Sequence, residues 1–193
     1  MEEKSTVELT DPRALRALAH PVRLELIGLL RRGGPLTATQ AGERLDESPA
    51  SCSFHLRQLA KYGLVEEAGG GRGRERPWRA TAISTEWAAQ GNGPEADAAG
   101  ALLSRVVVER HFKDAMEWLD RREVESPEWI EAAAITDAIL YMTPGELREV
   151  DEKIKALIAP YLKRLDDPAP AEGGRTVSII ALSFPQPDEP DEG

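Results

Sequence analysis

The 193-residue chain contains one cysteine, Cys52, and only three histidines. A single cysteine excludes an intrachain disulfide and any metal cluster built from several thiolates of one chain. No run of about 18 apolar residues occurs, which excludes a membrane-spanning helix. Met1-Glu2-Glu3-Lys4 is charged and has no apolar core, so no secretory signal is read there and a cytoplasmic protein is expected. Enzyme signatures are also missing: there is no Gly-x-Ser-x-Gly elbow, no His-Glu-x-x-His and no Gly-x-Gly-x-x-Gly. Gly69-Gly70-Gly71 with Gly73 lacks the Gly-Lys-Ser/Thr ending of a phosphate-binding loop, and no helix pattern follows it. No enzyme is expected, and no metal or other cofactor. Hydrophobic residues nevertheless reach 41% against 30% charged, enough to bury a core and too many for wholesale disorder.

Acid outweighs base, with a net charge of −10, but unevenly. Residues 1–82 carry 13 Lys and Arg against 11 Asp and Glu, whereas residues 83–193 carry 11 against 23. From Arg57 to Arg79 there are six basic side chains and three acidic ones. Such asymmetry points to two modules, the first with a basic surface suited to nucleic acid.

Local signals order the first module. Asp11-Pro12 is an N-cap followed by proline at the first helical position, opening a helix to Ala19. His20-Pro21 interrupts it. A second helix carries Leu24, Ile27 and Leu30 on one face and stops at Gly33-Gly34. Thr37-Ala38-Thr39-Gln40 is a capping box for a short helix to Leu45. Ser48-Pro49 caps the next helix, to about Tyr62. Leu64 to Ala68 and Pro77 to Ala82 read as hairpin strands around a glycine- and arginine-rich tip.

Gln90-Gly91-Asn92-Gly93-Pro94 is a cluster of helix breakers and marks the domain boundary. A long helix is expected from Glu95 to Arg122, apolar on two faces: Ala101, Val108, Phe112, Ala115 and Leu119 on one, Leu103, Val107 and Trp118 with His111 on the other. A helix apolar on more than one face must be covered on more than one side. Ile135 to Met142 reads as a strand, and Thr143-Pro144-Gly145-Glu146 caps a helix to about Leu165. Its stripe is Leu147, Val150, Ile154, Leu157, Ile158 and Tyr161. Val177 to Phe184 reads as a last strand, and residues 185–193 as a disordered, proline- and acid-rich tail.

Helix, helix, short helix, turn, helix and basic hairpin, in that order, describe a winged helix-turn-helix. Its second helix must fit a major groove about 12 Å wide, so its outward side chains should be short or able to hydrogen-bond. Cys52, Leu56 and Leu59 form the buried stripe; Ala50, Ser53, Phe54, Arg57 and Lys61 face the other way. Ser48 and the first-turn amides suit a phosphate. His55 lies beside the stripe and either contacts a phosphate or supports the helix. Arg72, Arg74 and Arg76 form a wing suited to phosphates or a minor groove.

The run Leu18-Ala19-His20-Pro21-Val22-Arg23-Leu24-Glu25-Leu26-Ile27 resembles the second-helix signature of ArsR-type winged-helix repressors. Ser53-Phe54-His55-Leu56-Arg57-Gln58-Leu59 and Gly63-Leu64-Val65 resemble their recognition helix and its exit. The resemblance covers residues 11–82. It implies a homodimeric transcriptional regulator that binds an inverted repeat and usually represses. Metal sensing does not carry over: no cysteine lies between Leu36 and Leu45, and the long helix holds His111 alone.

The expected architecture is thus mainly α with small β elements. Residues 11–82 form the winged helix-turn-helix and residues 83–94 a linker. Residues 95–184 form a dimerisation module with a strand-helix-strand element, the place for an effector if the chain answers one. Leu103, Val107, His111, Phe112 and Trp118 are the expected dimer interface. Cys52 and the aromatic side chains Trp118, Trp129 and Tyr141 are expected to pack as core. The partners expected are double-stranded DNA and a second copy, with no membrane. Two other readings differ in partner: a regulator answering a small-molecule effector, and a protein-interaction module that has lost DNA binding.

Overall fold

The computed structural model describes residues 6–71, 76–88, 90–91, 93–162, 164 and 173–187. Helix α1 (Pro12–Leu18) starts where the Asp11 side chain accepts a hydrogen bond from the Arg13 amide. Helix α2 (Pro21–Gly33) ends at Gly34, whose φ is 71°. Helix α3 (Ala38–Leu45) starts on the expected capping box, with the Thr37 side chain and the Gln40 amide bonded and Gln40 reaching back to the Thr37 amide. Helix α4 (Pro49–Ala60) is capped by Ser48. Strands β2 (Val65–Glu67) and β3 (Trp78–Ala80) form the antiparallel hairpin, with Glu66 opposite Arg79.

The turn between α3 and α4 depends on two residues. Asp46 adopts a left-handed conformation, φ 54°, which ends α3. Gly42 lets the chain return: a Cβ there would stand 2.5 Å from the Glu47 carbonyl oxygen. The Glu47 amide donates to the Gly42 carbonyl at 3.0 Å across the same contact.

The core lies between the first four helices and the hairpin. Leu15, Leu26, Leu30, Cys52, Leu56, Leu59, Leu64 and Val65 are all buried. Full burial of Cys52 makes it a packing residue, and burial pushes its thiol pKa up, away from the reactive thiolate.

Strand β1 (Thr6–Glu8) was not expected from the sequence. It pairs in parallel with β4 (Ser84–Glu86), Thr6 opposite Ser84, so part of residues 83–94 is a sheet element instead of a linker. Three-residue strands carry too little periodicity to be read from sequence. Arg31 of α2 holds β4 in place: its Nε donates to the Ala82 carbonyl and its Nη2 to Thr85 Oγ1.

Helix α5 (Pro94–Asp120) lies with its first half against α1, burying Ala96, Ala99, Gly100 and Leu103. A short 3₁₀ turn (Arg122–Val124), helix α6 (Pro127–Ala132) and helix α7 (Pro144–Leu162) follow. The expected capping box of α7 is formed, with the Glu146 carboxylate accepting from the Thr143 amide at 2.7 Å. The expected strands at 135–142 and 177–184 are not formed. A strand requires a hydrogen-bonded neighbour, and neither segment has one among the described residues. Their apolar side chains, Ile135, Ile139, Tyr141, Val177 and Phe184 among them, stand in solvent. Residues 188–193 of the expected tail lie outside the described residues.

Candidate nucleic-acid interface

Helix α4 presents two opposite stripes. Cys52, Leu56 and Leu59 are completely buried, while Ala50, Phe54, Arg57 and Lys61 are exposed at a spacing of four, three and four residues. Ser53 is half-buried beside the outward stripe. Ser48 is exposed, and its Oγ accepts from the Ser51 amide at 3.1 Å. This bond fixes the first turn of α4. Lys61 Nζ lies 5.6 Å from the centre of the Tyr62 ring.

His55 points elsewhere. Its ring stacks on His20, the residue preceding α2, with centroids 4.6 Å apart, and Phe54 packs edge-on against it at 5.2 Å. Of the two roles open to His55, support of the helix is the one this geometry fits. Burial is the main cause that lowers both imidazole pKa values.

The hairpin stands beside α4. On its described part, Arg79 bonds Glu66 at 2.7 Å and Arg76 bonds Glu67 at 3.2 Å, all four side chains being well exposed. These glutamates were missed as participants by sequence reasoning. The signal that could have found them is the cross-strand register, which sets Glu66 opposite Arg79. Exposed ion pairs of this kind contribute about 0–1 kcal/mol, so a phosphate can displace the carboxylate. Arg72 and Arg74 lie outside the described residues.

Residues 18–68, from the end of α1 through β2, match the family model described as a helix-turn-helix domain. That stretch has the helix order such a domain requires, α2, α3 and α4 followed by β2. The three runs that carry the resemblance to ArsR-type regulators, residues 18–27, 53–59 and 63–65, all fall within it. Among solved structures, the chain is similar to the solution structure of the homodimeric winged helix-turn-helix DNA-binding domain, fragment 1–100, of Mb0332 from Mycobacterium bovis. That protein is described as a possible ArsR-family transcriptional regulator. Identity is 24%, the TM-score is 0.33, and the match covers 50% of this chain and 77% of that one. No curated protein matches the chain.

Around the helix-turn-helix domain, α5 separates the residues expected at a dimer interface. Leu103 is fully buried in the core of its own chain, and Val107 packs partly against the same core. His111 is half-buried next to Arg110, whose Nη1 donates to the Leu24 carbonyl at 3.2 Å. The face expected to meet a partner is therefore covered by α1 and α2. Phe112 lies on the opposite face, 68% exposed, in line with Val108 and Leu119. The reason is angular: about 100° per residue puts Val108, Phe112 and Leu119 roughly opposite Leu103. Trp118 is half-buried, 5.7 Å from the Arg122 guanidinium. Trp129 lies under Arg175 at 5.0 Å, while Tyr141 is exposed and fills no core.

Among the described residues, no group of three His, Cys, Asp or Glu side chains converges as a metal site would require. No helix among them is long and apolar enough to cross a membrane.

Proposed function

We propose that this chain is a sequence-specific, DNA-binding transcriptional regulator of the ArsR type, a homodimeric cytoplasmic repressor of an inverted-repeat operator. The observation that carries the reading is the outward stripe of α4. Its exposed side chains, Ala50, Phe54, Arg57 and Lys61, line the helix that follows the turn of a helix-turn-helix, beside a hairpin rich in arginine. Such a helix enters the major groove with its first turns against base edges. Ser48 keeps its hydroxyl proton for a phosphate while its oxygen caps the helix. Arg57 and Lys61 extend the charge along the groove, and the hairpin arginines reach the neighbouring backbone.

The open face of α5 supports the dimer. Val108, Phe112, Met116 and Leu119 form an apolar row that stays 37–68% exposed among the described residues. A second copy related by two-fold symmetry covers it and sets two recognition helices about 34 Å apart, one turn of DNA. The acidic second module then faces away from the duplex.

A second reading adds a small-molecule effector. A cleft of about 270 Å³ between α2, the end of α3 and α5 is lined by Val22, Glu25, Leu45, Val106 and Arg110. A ligand there touches α2 and the end of α3, which pack against α4, and the helix proposed for dimerisation.

The test is a mobility shift of the DNA upstream of the chain's own gene. A retarded band that survives excess non-specific competitor supports the reading. Its absence, with a shift no stronger than for random DNA, leaves the protein-interaction alternative.

A further inference from the structure

Among the described residues before α5, Phe54 is the only large apolar side chain that stands exposed, at 50%. It occupies the second turn of α4, on the outward stripe, with Ala50 one turn before it and Arg57 one turn after. Its ring is held: it packs edge-on against His55 at 5.2 Å, and His55 is backed in turn by His20 at 4.6 Å. A fixed aromatic ring beside a methyl side chain makes a small apolar patch on a face otherwise built of serine, arginine and lysine. Such a patch cannot accept or donate a hydrogen bond to a base edge. In the major groove only one base edge presents an apolar group, the C5 methyl of thymine.

We propose that Phe54, flanked by Ala50, is a specificity-determining residue that reads a thymine methyl group in each operator half-site. This rests on the DNA-binding reading above and adds the chemistry of one base contact to it. Ser53 and Arg57, at its sides, read neighbouring hydrogen-bonding positions. Arg57 suits a guanine, whose O6 and N7 accept two hydrogen bonds. The patch is too short along the helix to read more than one or two adjacent base pairs. A single required thymine next to a guanine is therefore the expected signature of each half-site.

The experiment uses the full chain and an operator duplex selected from a random pool. Each thymine is replaced singly by deoxyuracil, which removes the methyl and leaves every hydrogen-bonding group. Fluorescence anisotropy reads the affinity. Wild type is expected to lose about fourfold at one thymine per half-site, the effect of uncovering one methyl-sized group. Phe54→Ala is expected to bind more weakly and to be indifferent to that replacement, while Phe54→Leu retains part of the discrimination. A thermal melt of both variants checks the fold, and the wild-type scan stands without them. If selection succeeds and every replacement is silent for wild type, or the same thymine still matters in Phe54→Ala, the assignment of Phe54 is overturned. If selection yields no preferred sequence, the DNA-binding reading itself fails, which is a separate result.

Discussion

The rings of His20 and His55 stack with centroids 4.6 Å apart and planes inclined by 39°. The contact joins the start of α2 to the middle of α4, so it helps set the angle at which the outward stripe of α4 leaves the domain. Neither Nδ1 finds a hydrogen-bond partner among the described residues. Arg23 adds positive charge beside both rings, and Glu47 opposes it from the turn before α4. Tyr62 faces Arg23 from beyond the end of α4.

Acid should therefore loosen this contact. Burial first, and then Arg23 for His20 or His20 and Arg23 for His55, hold both imidazoles below their ordinary value. His111 is lowered too, by burial and then by Arg110. The unfolded chain takes up these protons near pH 6.5, whereas the folded chain resists until lower pH. The unfolded state then binds more protons, so stability falls as pH drops below about 6.5 and is flat above about 7.5. Melting temperatures across pH 5.0–8.0 should show this decline, and the double variant His20→Asn, His55→Gln should keep only the share of His111. A melting temperature independent of pH would contradict it.

Gly42→Ala should be among the most damaging small changes in the domain. The added Cβ meets a backbone oxygen, that of Glu47, at 2.5 Å, and neither α3 nor the turn can yield without moving α4. A loss of about 1–3 kcal/mol is expected from overpacking of this kind. Urea titration measures it; a variant within about 0.5 kcal/mol of wild type, the size of a neutral surface change, would show that the turn is soft.

The hairpin charges should act on salt dependence more than on sequence choice. Replacing Arg72, Arg74 and Arg76 by alanine should weaken binding to all DNA. It should also lower the slope of log affinity against log salt by about 0.9 for each phosphate that is no longer neutralised. Glu66→Gln should do the reverse and strengthen binding, because it releases Arg79 from its 2.7 Å ion pair. An unchanged slope in the triple variant would remove the hairpin from the interface.

On α5, two substitutions should separate folding from association. Phe112→Glu places a charge on the open face and should give a folded monomer with reduced operator affinity. Leu103→Ala opens a cavity in the core and should cost about 2–5 kcal/mol whatever the association state. Light scattering with circular dichroism distinguishes them. A wild type monomeric at tens of micromolar would end the dimer reading.

Much of the first module was legible because its signals are local. The capping box at Thr37 and Gln40, the prolines Pro12, Pro21 and Pro49 at first helical positions, and the apolar spacing of Cys52, Leu56 and Leu59 depend only on residues within a turn or two of one another. These set the helix order and the face of α4 that turns outward. Other features required distant parts of the chain to meet. Strand β1 exists because residues 84–86 lie beside it. His55, open from sequence to either a phosphate or a supporting role, packs against the ring that His20 offers. Leu103 and Phe112 were both apolar on one helix, and periodicity could not say which face its own chain would cover. Packing against α1 decided it, covering Leu103 and leaving Phe112 exposed. The segments 135–142 and 177–184 show the same limit from the other side. Their alternation satisfies a strand's side-chain pattern, but a strand's backbone bonds come from a neighbour that these residues cannot encode alone.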